Sequence, residues 1–249
     1  MSTWRKAIRT TQNFFPFLAE AKNDYYHFTR SRLGWVHDPE FAVVAHLPRR
    51  PDDLFLDIGA NRGQSILAIR HFRPDARIIS FEPNPLIFAR LHRRFADCPG
   101  VTLQPFGLGP APGHFPLYVP RYGRFTYDGC ASFSEEAARG YFGPETLFFF
   151  NPARVALRHF ECELRTLDGL GLSPSFIKID VEGFEHEVLL GARDTLRRCR
   201  PALLLERGEE RPHLDALLGE FGYREMAWRD GRFVPERLAG LNRLMLAAG

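Results

Sequence analysis

Lysine is nearly missing from this chain. Of its 249 residues 33 are basic, yet lysine occurs only at Lys6, Lys22 and Lys178. The remaining positive charge is arginine, and the formal net charge is only +3. That excess is too weak to argue for nucleic acid as a partner. Cysteine is sparse and scattered. Cys98, Cys130, Cys162 and Cys199 form no CxxC, and no histidine joins them at zinc-finger spacing. Isolated cysteines in a chain of this length indicate reduced thiols in a cytoplasmic protein rather than a disulfide framework. No uninterrupted apolar run is long enough to cross a bilayer, so no integral membrane segment is expected. The basic N-terminus carries one short apolar stretch, Phe14 to Leu18, broken by Pro16. That is no signal peptide. It reads as a packed helix, with a peripheral membrane contact through Phe14, Phe15 and Phe17 as the alternative.

The composition that is present, 45% hydrophobic and 25% charged, is that of a globular domain with a sizeable core. Residues 1–50 read as an N-terminal helical extension lying over a domain at 51–249. In that domain strands are expected at 54–58, 76–82, 100–106, 175–180 and 201–206, with a last strand in "LNRLMLAA". Between them lie helices at 63–72, 83–97, 181–199 and 213–223. The stretch 107–165 breaks this rhythm. It is rich in glycine and proline, with a short strand in "HFPLYV", and reads as an irregular, substrate-facing insertion. Strands alternating with helices predict an α/β fold, a parallel sheet covered on both faces.

The chemistry concentrates at strand ends. "LFLDIGANRGQSI" (54–66) runs from a buried strand into Asp57, Gly59, Asn61 and Gly63. Glycine there lets backbone turn tightly against a ligand, and the next helix aims its free N–H groups at the same point. The spacing is not the GxGxxG of a dinucleotide site, and a carboxylate at Asp57 suits a cation better than a diphosphate. Glu82 ends the second strand, where an acid can accept both ribose hydroxyls of an adenosine. Together these point to a positively charged nucleoside without phosphates, which S-adenosylmethionine fits. Turn chemistry and helix capping explain either feature taken alone.

With "DIGANRG", "SFEPNP" and "FIKIDVEGFEHEVLLGA", the chain resembles the FkbM family of S-adenosylmethionine-dependent methyltransferases. "TLDGL" and "RPALLLE" fit as well, and the likeness runs from about Leu54 to Glu206 and on into the last helix and strand. It implies a class I methyltransferase (Rossmann-like) fold, seven-stranded and mostly parallel with one antiparallel strand. It also implies O-methylation of a hydroxyl on a sugar, a glycolipid or polysaccharide, or a polyketide-type product. Carried over by position, Asp57, Gly59, Ala60, Asn61 and Gly63 match the cofactor loop, and Glu82 with Pro83 the ribose end. Asp180 and Glu182 match the acidic pair after the fourth strand, and "GCASF" (129–133) a small-residue segment near the cofactor. Where the family often has Asn and small residues after the third strand, this chain has Pro105, Phe106 and Gly107. Phe106 is then a candidate to stack on the adenine.

Methyl transfer to an alcohol needs a base or a metal for the departing proton. Asp180, Glu182 and Lys178 are the catalytic candidates. Asp180 and Glu206, at neighbouring strand ends, could hold Mg²⁺ as a second cofactor. The alternatives are a helix cap for Asp180, and a pairing of Glu206 with Arg207 or Arg211. Lys178, inside a buried strand, requires a partner, with Asp180 or Glu206 nearest. Phe148, Phe149 and Phe150 are expected either to line an acceptor pocket or to pack in the core. His186, His213 and His159 are assigned no firm role. The acceptor is a small molecule or glycan, and an oligomer is left open. Two rivals stand beside this reading: a SAM-binding protein without turnover, and an NAD-linked oxidoreductase.

Overall fold

Leu54–Ile58 (β1) is buried along its whole length, and it forms the centre of the molecule. The computed structural model describes residues 3–15, 29, 36, 38–207, 212–237 and 240–248. Before β1 lie α1 (Thr3–Phe14) and a 3-10 turn at Pro39–His46. After it come α2 (Gln64–Phe72), β2 (Arg77–Phe81), α3 (Pro85–Phe95) and β3 (Val101–Gln104). The middle of the chain forms β4 (Gly107–Leu108), β5 (Gly113–Tyr122), β6 (Phe125–Thr126), α4 (Glu135–Gly140) and β7 (Val155–Arg165). Then follow β8 (Phe176–Ile179), α5 (Glu185–Leu190), α6 (Arg193–Cys199), β9 (Ala202–Glu206) and α7 (Pro212–Glu220). Three short strands, β10 (Tyr223–Glu225), β11 (Ala227–Arg229) and β12 (Arg232–Val234), precede β13 (Asn242–Ala247).

Seven strands make one sheet in the order β3-β2-β1-β8-β9-β13-β10. The first five are parallel, and β13 runs antiparallel to both its neighbours. This is the class I methyltransferase arrangement that the resemblance implies. The chain winds outward from β1 to β3, then returns to β8 on the other side of β1, so the strand order reverses at the β1–β8 seam. Two apolar cores flank the sheet. One packs Ile177, Leu203 and Leu205 against Val188, Leu196 and Leu217 of α5–α7. The other packs Phe55, Ile78 and Phe176 against Ile66 and Ile69 of α2, Leu91 of α3, and Phe41 and Val44 of the 3-10 turn.

Two expectations need correction. The helix predicted over 181–199 is two helices, broken at Gly191. A Cβ at Gly191 would lie 2.0 Å from the Gly109 carbonyl oxygen, so two backbones meet where a helix would have continued. Asp168 then starts α6 by accepting from the Asp194 and Thr195 N–H groups at 3.0 and 2.8 Å. The middle region is ordered rather than irregular. β5 is ten residues long and pairs with β7 from Gly113↔Leu164 to Tyr122↔Val155, in a second sheet ordered β4-β7-β5-β6. Its prolines, Pro116 and Pro120, are accommodated without ending the strand. Of the N-terminal extension, α1 and the 3-10 turn are described, whereas Phe17 and the 16–28 stretch lie outside the described residues.

Candidate active site

The turn after β1 is shaped by what it touches. Gly59 has φ +80°, and a Cβ on it would sit 1.9 Å from the Asp180 carbonyl oxygen. Gly63 has φ +83°, and its Cβ would overlap the Phe95 ring at 2.2 Å. Only glycine meets both the dihedral and the space. The Gly59 and Ala60 N–H groups donate to the Phe81 carbonyl, at 3.1 and 3.0 Å, which ties the turn to the end of β2. Asn61 takes φ 47°, and its N–H donates to Glu82 Oε2 at 2.8 Å. Glu82 Oε1 accepts from the Asn84 N–H at 2.9 Å. Burial pushes the Glu82 carboxyl up to about 7, against the pull of those two N–H groups.

A cavity of about 550 Å³ opens over these strand ends. Gly59, Asn61, Glu82, Pro83 and Asn84 line one side; Asp180, Val181, Glu182, Gly183, Phe184 and Glu206 line the other. The roof comes from the second sheet and the loop after it, including Leu117, Asp128 and the run Ala131–Ser134. Five carboxyl groups face this space: Glu82, Asp128, Asp180, Glu182 and Glu206. No lysine or arginine lines it. A smaller cavity of about 110 Å³ lies across the Gly59–Asn61 turn, lined by Lys178, Ser65, Asp38 and Phe41 among others.

Lys178 sits at the β1–β8 seam, in register with Asp57. Its ammonium is 3.0 Å from Asp180 Oδ2 and 3.8 Å from Asp57 Oδ1, and it donates to the Gly59 carbonyl at 3.2 Å. Burial works against that charge, but Asp180 and Asp57 outweigh it and lift the Lys178 pKa above its ordinary value. Burial likewise opposes ionisation of Asp180, and Lys178 more than compensates, holding its carboxyl below the usual range. Glu206 shares a hydrogen bond with Asp180. Burial, reinforced by the Asp180 charge, pushes Glu206 up to about 8. Of the two, Glu206 is the one whose protonated form is favoured, and Asp180 the one held ionised.

Not every expected residue reaches the cavity. Asp57 is fully buried one layer behind it, because its side chain points to the sheet face shared with Ser80 and Lys178. It accepts from Ser80 Oγ at 3.2 Å, while its Oδ1 finds no hydrogen-bond donor. Asp57 bears on the cavity from behind, through Lys178 and through its charge, which helps to raise Glu82. Phe106 is also buried. Its ring packs on Phe81 at 5.6 Å and is covered by the Arg165 guanidinium at 4.1 Å, so it is absent from the cavity wall. Glu206 does not pair with Arg207, which instead binds Glu225 at 2.5 Å; Arg211 lies outside the described residues. The Mg²⁺ expectation is not met by this donor set. The Lys178 ammonium takes the cation position between Asp180 and Asp57, and no group of three or more metal-ligating side chains occurs among the described residues. His159 is exposed on β7, and His186, 6.2 Å from His213 ring to ring, lines neither cavity.

Sequence reasoning missed Asp128. Its carboxylate binds Arg62 of the cofactor turn at 2.5 Å and Arg90 of α3, and its carbonyl accepts from Asn84 Nδ2 at 3.0 Å. One buried acid thus fastens the roof to both turns that line the nucleoside side. "YDGCASF" contained the residue, but nothing local marks an Asp whose partners lie 38 and 66 positions away. Glu185 was missed as well. Buried at the start of α5, it accepts from the Val181 and Gly183 N–H groups at 3.3 Å and so fixes the turn that carries Glu182 at φ 51°. Asp128→Ala should destabilise the fold by about 2 kcal/mol, less than the ~3–5 of a fully buried pair because both arginines reach water. Chemical denaturation measures this, and faster proteolysis of the 113–165 sheet in the variant should accompany it.

The comparisons with known proteins bear on the same residues. The profile of the Methyltransferase FkbM domain matches residues 57–225, from the cofactor turn to β10. The chain belongs to the FkbM methyltransferase family. Among its relatives, methyltransferase sdnD of Sordaria araneosa is 27% identical over 233 residues, covering 84% of this chain and 89% of that protein. The 2-O-methyltransferase NoeI of Sinorhizobium fredii is 24% identical over 160 residues, covering 63% of this chain and 64% of NoeI. The AMB antimetabolite synthetase AmbE of Pseudomonas aeruginosa is 32% identical over 178 residues, which is 62% of this chain but 8% of that protein. A solved FkbM methyltransferase from Methylobacillus flagellatus aligns over 81% of this chain and 47% of its own, at a TM-score of 0.47 and 18% identity. Family membership makes this FkbM protein a methyltransferase and implies S-adenosylmethionine as methyl donor.

Proposed function

We propose that this FkbM protein transfers a methyl group from S-adenosylmethionine to a hydroxyl of a sugar, glycolipid, polysaccharide or polyketide-type acceptor that carries no phosphate. The observation that supports this best is the acidic lining: five carboxyl side chains and, among the described residues, no lysine or arginine on the wall, with Arg62 and Arg90 offsetting Asp128 and Lys178 offsetting Asp180 from behind it. Such a space repels a diphosphate and attracts a cationic sulfonium and ammonium. The same observation weighs against an NAD-linked oxidoreductase. NoeI, an O-methyltransferase by name, is a relative in keeping with an oxygen acceptor.

The residues fit the donor. Each Glu82 oxygen is engaged by one backbone N–H and keeps capacity to accept a ribose hydroxyl. Gly59, Asn61 and Pro83 would pass along the nucleoside, and Asp180 would lie toward the reacting end. When bound, S-adenosylmethionine supplies a methyl carbon made electrophilic by its sulfonium. The acceptor would lie on the far side of Asp180, between Glu182, Glu206 and the Phe133–Phe184 ring pair, whose centroids are 5.2 Å apart. Asp180, held ionised by Lys178, takes the hydroxyl proton, while Glu206 keeps its own and orients the base. Lys178 stays protonated and offsets the negative charge of the strand ends. In this reading residues 51–249 carry the reaction and residues 1–50 are an extension over them.

Calorimetry with S-adenosylhomocysteine and NAD tests the donor. Binding of NAD without S-adenosylhomocysteine would overturn the proposal. For the base, Asp180→Asn should lower kcat on a productive acceptor by about 10²–10⁴-fold, the usual contribution of general base catalysis. S-adenosylhomocysteine affinity should change far less. Equal losses in both would assign Asp180 to cofactor binding alone.

A further inference from the structure

None of Phe148–Phe150 lines the cavity, and of the three Phe150 packs against the core of Tyr122, Tyr127, Phe142 and Leu147. Phe149 is 95% exposed, and it holds φ 53°, a backbone conformation unfavourable to a residue with a Cβ. Its neighbours turn the other way. Phe150 stacks on Tyr122 at 6.0 Å, and Phe148 lies beneath the Lys6 ammonium at 4.5 Å. The Phe148 N–H donates to Thr10 Oγ1 at 3.0 Å, which docks this loop on α1. The loop is thus pinned on both sides of one phenylalanine that points into solvent. Cations lie over the rings on either side of it, while the exposed Glu145 precedes it by four residues. Lys6 and Arg9 lie on α1, where the described side chains include no acid. Arg154 covers Tyr122 at 5.1 Å and touches the Gly123 turn, whose next residue is the exposed Arg124. Among the described residues no ring contact is made by Phe149, and what distinguishes it from an ordinary exposed side chain is its left-handed backbone between two anchored neighbours.

We infer that this tip, with Phe149 as wedge and Lys6 and Arg154 as the cations flanking it, docks on an anionic lipid surface. A single aromatic ring entering the headgroup region, flanked by long basic side chains, has the chemistry of an interfacial anchor. Each part alone is weak, and the two together bind reversibly. The charge selects the partner: an apolar protein groove would not need flanking cations, and a neutral bilayer would not use them. The inference is independent of the acceptor assigned above, because no residue of the tip lines the cavity.

Co-sedimentation with phosphatidylglycerol vesicles, against phosphatidylcholine vesicles of the same size, tests it. The full chain should pellet with the anionic vesicles and not the neutral ones, and high salt should release it. Phe149→Asp should cut the partition about tenfold, the loss expected when an aromatic ring no longer leaves water. Arg154→Glu should cut it independently. Phe149 is almost fully exposed, so Phe149→Asp should keep the wild-type melting temperature, and both variants should keep the wild-type S-adenosylhomocysteine affinity. Equal recovery on both vesicle types, or undiminished binding by Phe149→Asp, would overturn the inference. Capture of a soluble protein by the tip without vesicle binding would overturn it too.

Discussion

Glu82→Gln will weaken S-adenosylhomocysteine binding by about ten- to a hundredfold, the loss expected when hydrogen bonds to a charged acceptor become neutral ones. The variant removes charge while keeping volume, so the cavity shape survives. The pH dependence makes the assignment specific. Burial raises the Glu82 carboxyl from 4.5 to about 7 in the folded, empty protein. Two hydroxyl donors favour the ionised form, so affinity in the wild type should fall as pH drops through about 7, and the variant should show no such slope. Stability moves the opposite way. Between about 4.5 and 7 the unfolded chain has lost this proton and the folded chain still holds it. Stability is therefore lost as pH rises across that window, by up to ~3 kcal/mol at about 1.4 kcal/mol per unit. Glu206, raised to about 8, adds a slope of the same sign that runs further up. Calorimetry and thermal melts from acid to mildly alkaline pH give both curves. A variant that binds as tightly as wild type, with the same pH profile, would remove Glu82 from the nucleoside site.

Lys178→Met carries the largest expected cost to the fold. It leaves Asp57 and Asp180 at a buried seam without the cation that lies 3.8 and 3.0 Å away, and one Asp57 oxygen is already without a donor. Breaking a buried pair from one side destabilises by about 3–5 kcal/mol. Asp57, raised by burial even with Lys178 present, would hold its proton still more firmly without it. The deficit of the variant should therefore widen as pH rises from acid to neutral. Adding Asp57→Asn to Lys178→Met should return stability, with a coupling of at least ~1 kcal/mol in the double-mutant cycle. Strictly additive effects would mean that the two groups do not sense one another.

The seven-stranded sheet was legible because its signals are local. β1, β2, β8 and β9 are short, mostly apolar runs closed by an acid or a turn, and the six expected strands found their places, while β10 at Tyr223–Glu225 was not foreseen. The cofactor turn was equally plain, since glycine spacing survives in any fold that uses it. What escaped reading depended on distant partners. Gly191 ends a helix because Gly109 lies against it, eighty-odd positions away. β5 tolerates two prolines because β7 supplies the pairing. Phe106 was placed at the right strand end but on the wrong side, since the Arg165 that covers it belongs to the second sheet. Lys178 was expected to need an acid, with Asp180 or Glu206 as the candidates; Asp180 is the close partner, and Asp57, set beside Lys178 by the β1–β8 register, was not foreseen.

The Asp128 junction bears on how such enzymes could be re-tailored. Arg62 and Arg90 belong to the donor half of the molecule, and the carboxylate that joins them belongs to the roof. A graft that swaps the whole 113–165 segment for another family member's, seeking a new acceptor, would discard the acid and strand two guanidinium groups. The workable suture lies after residue 129, so that the transplanted piece begins beyond the rivet.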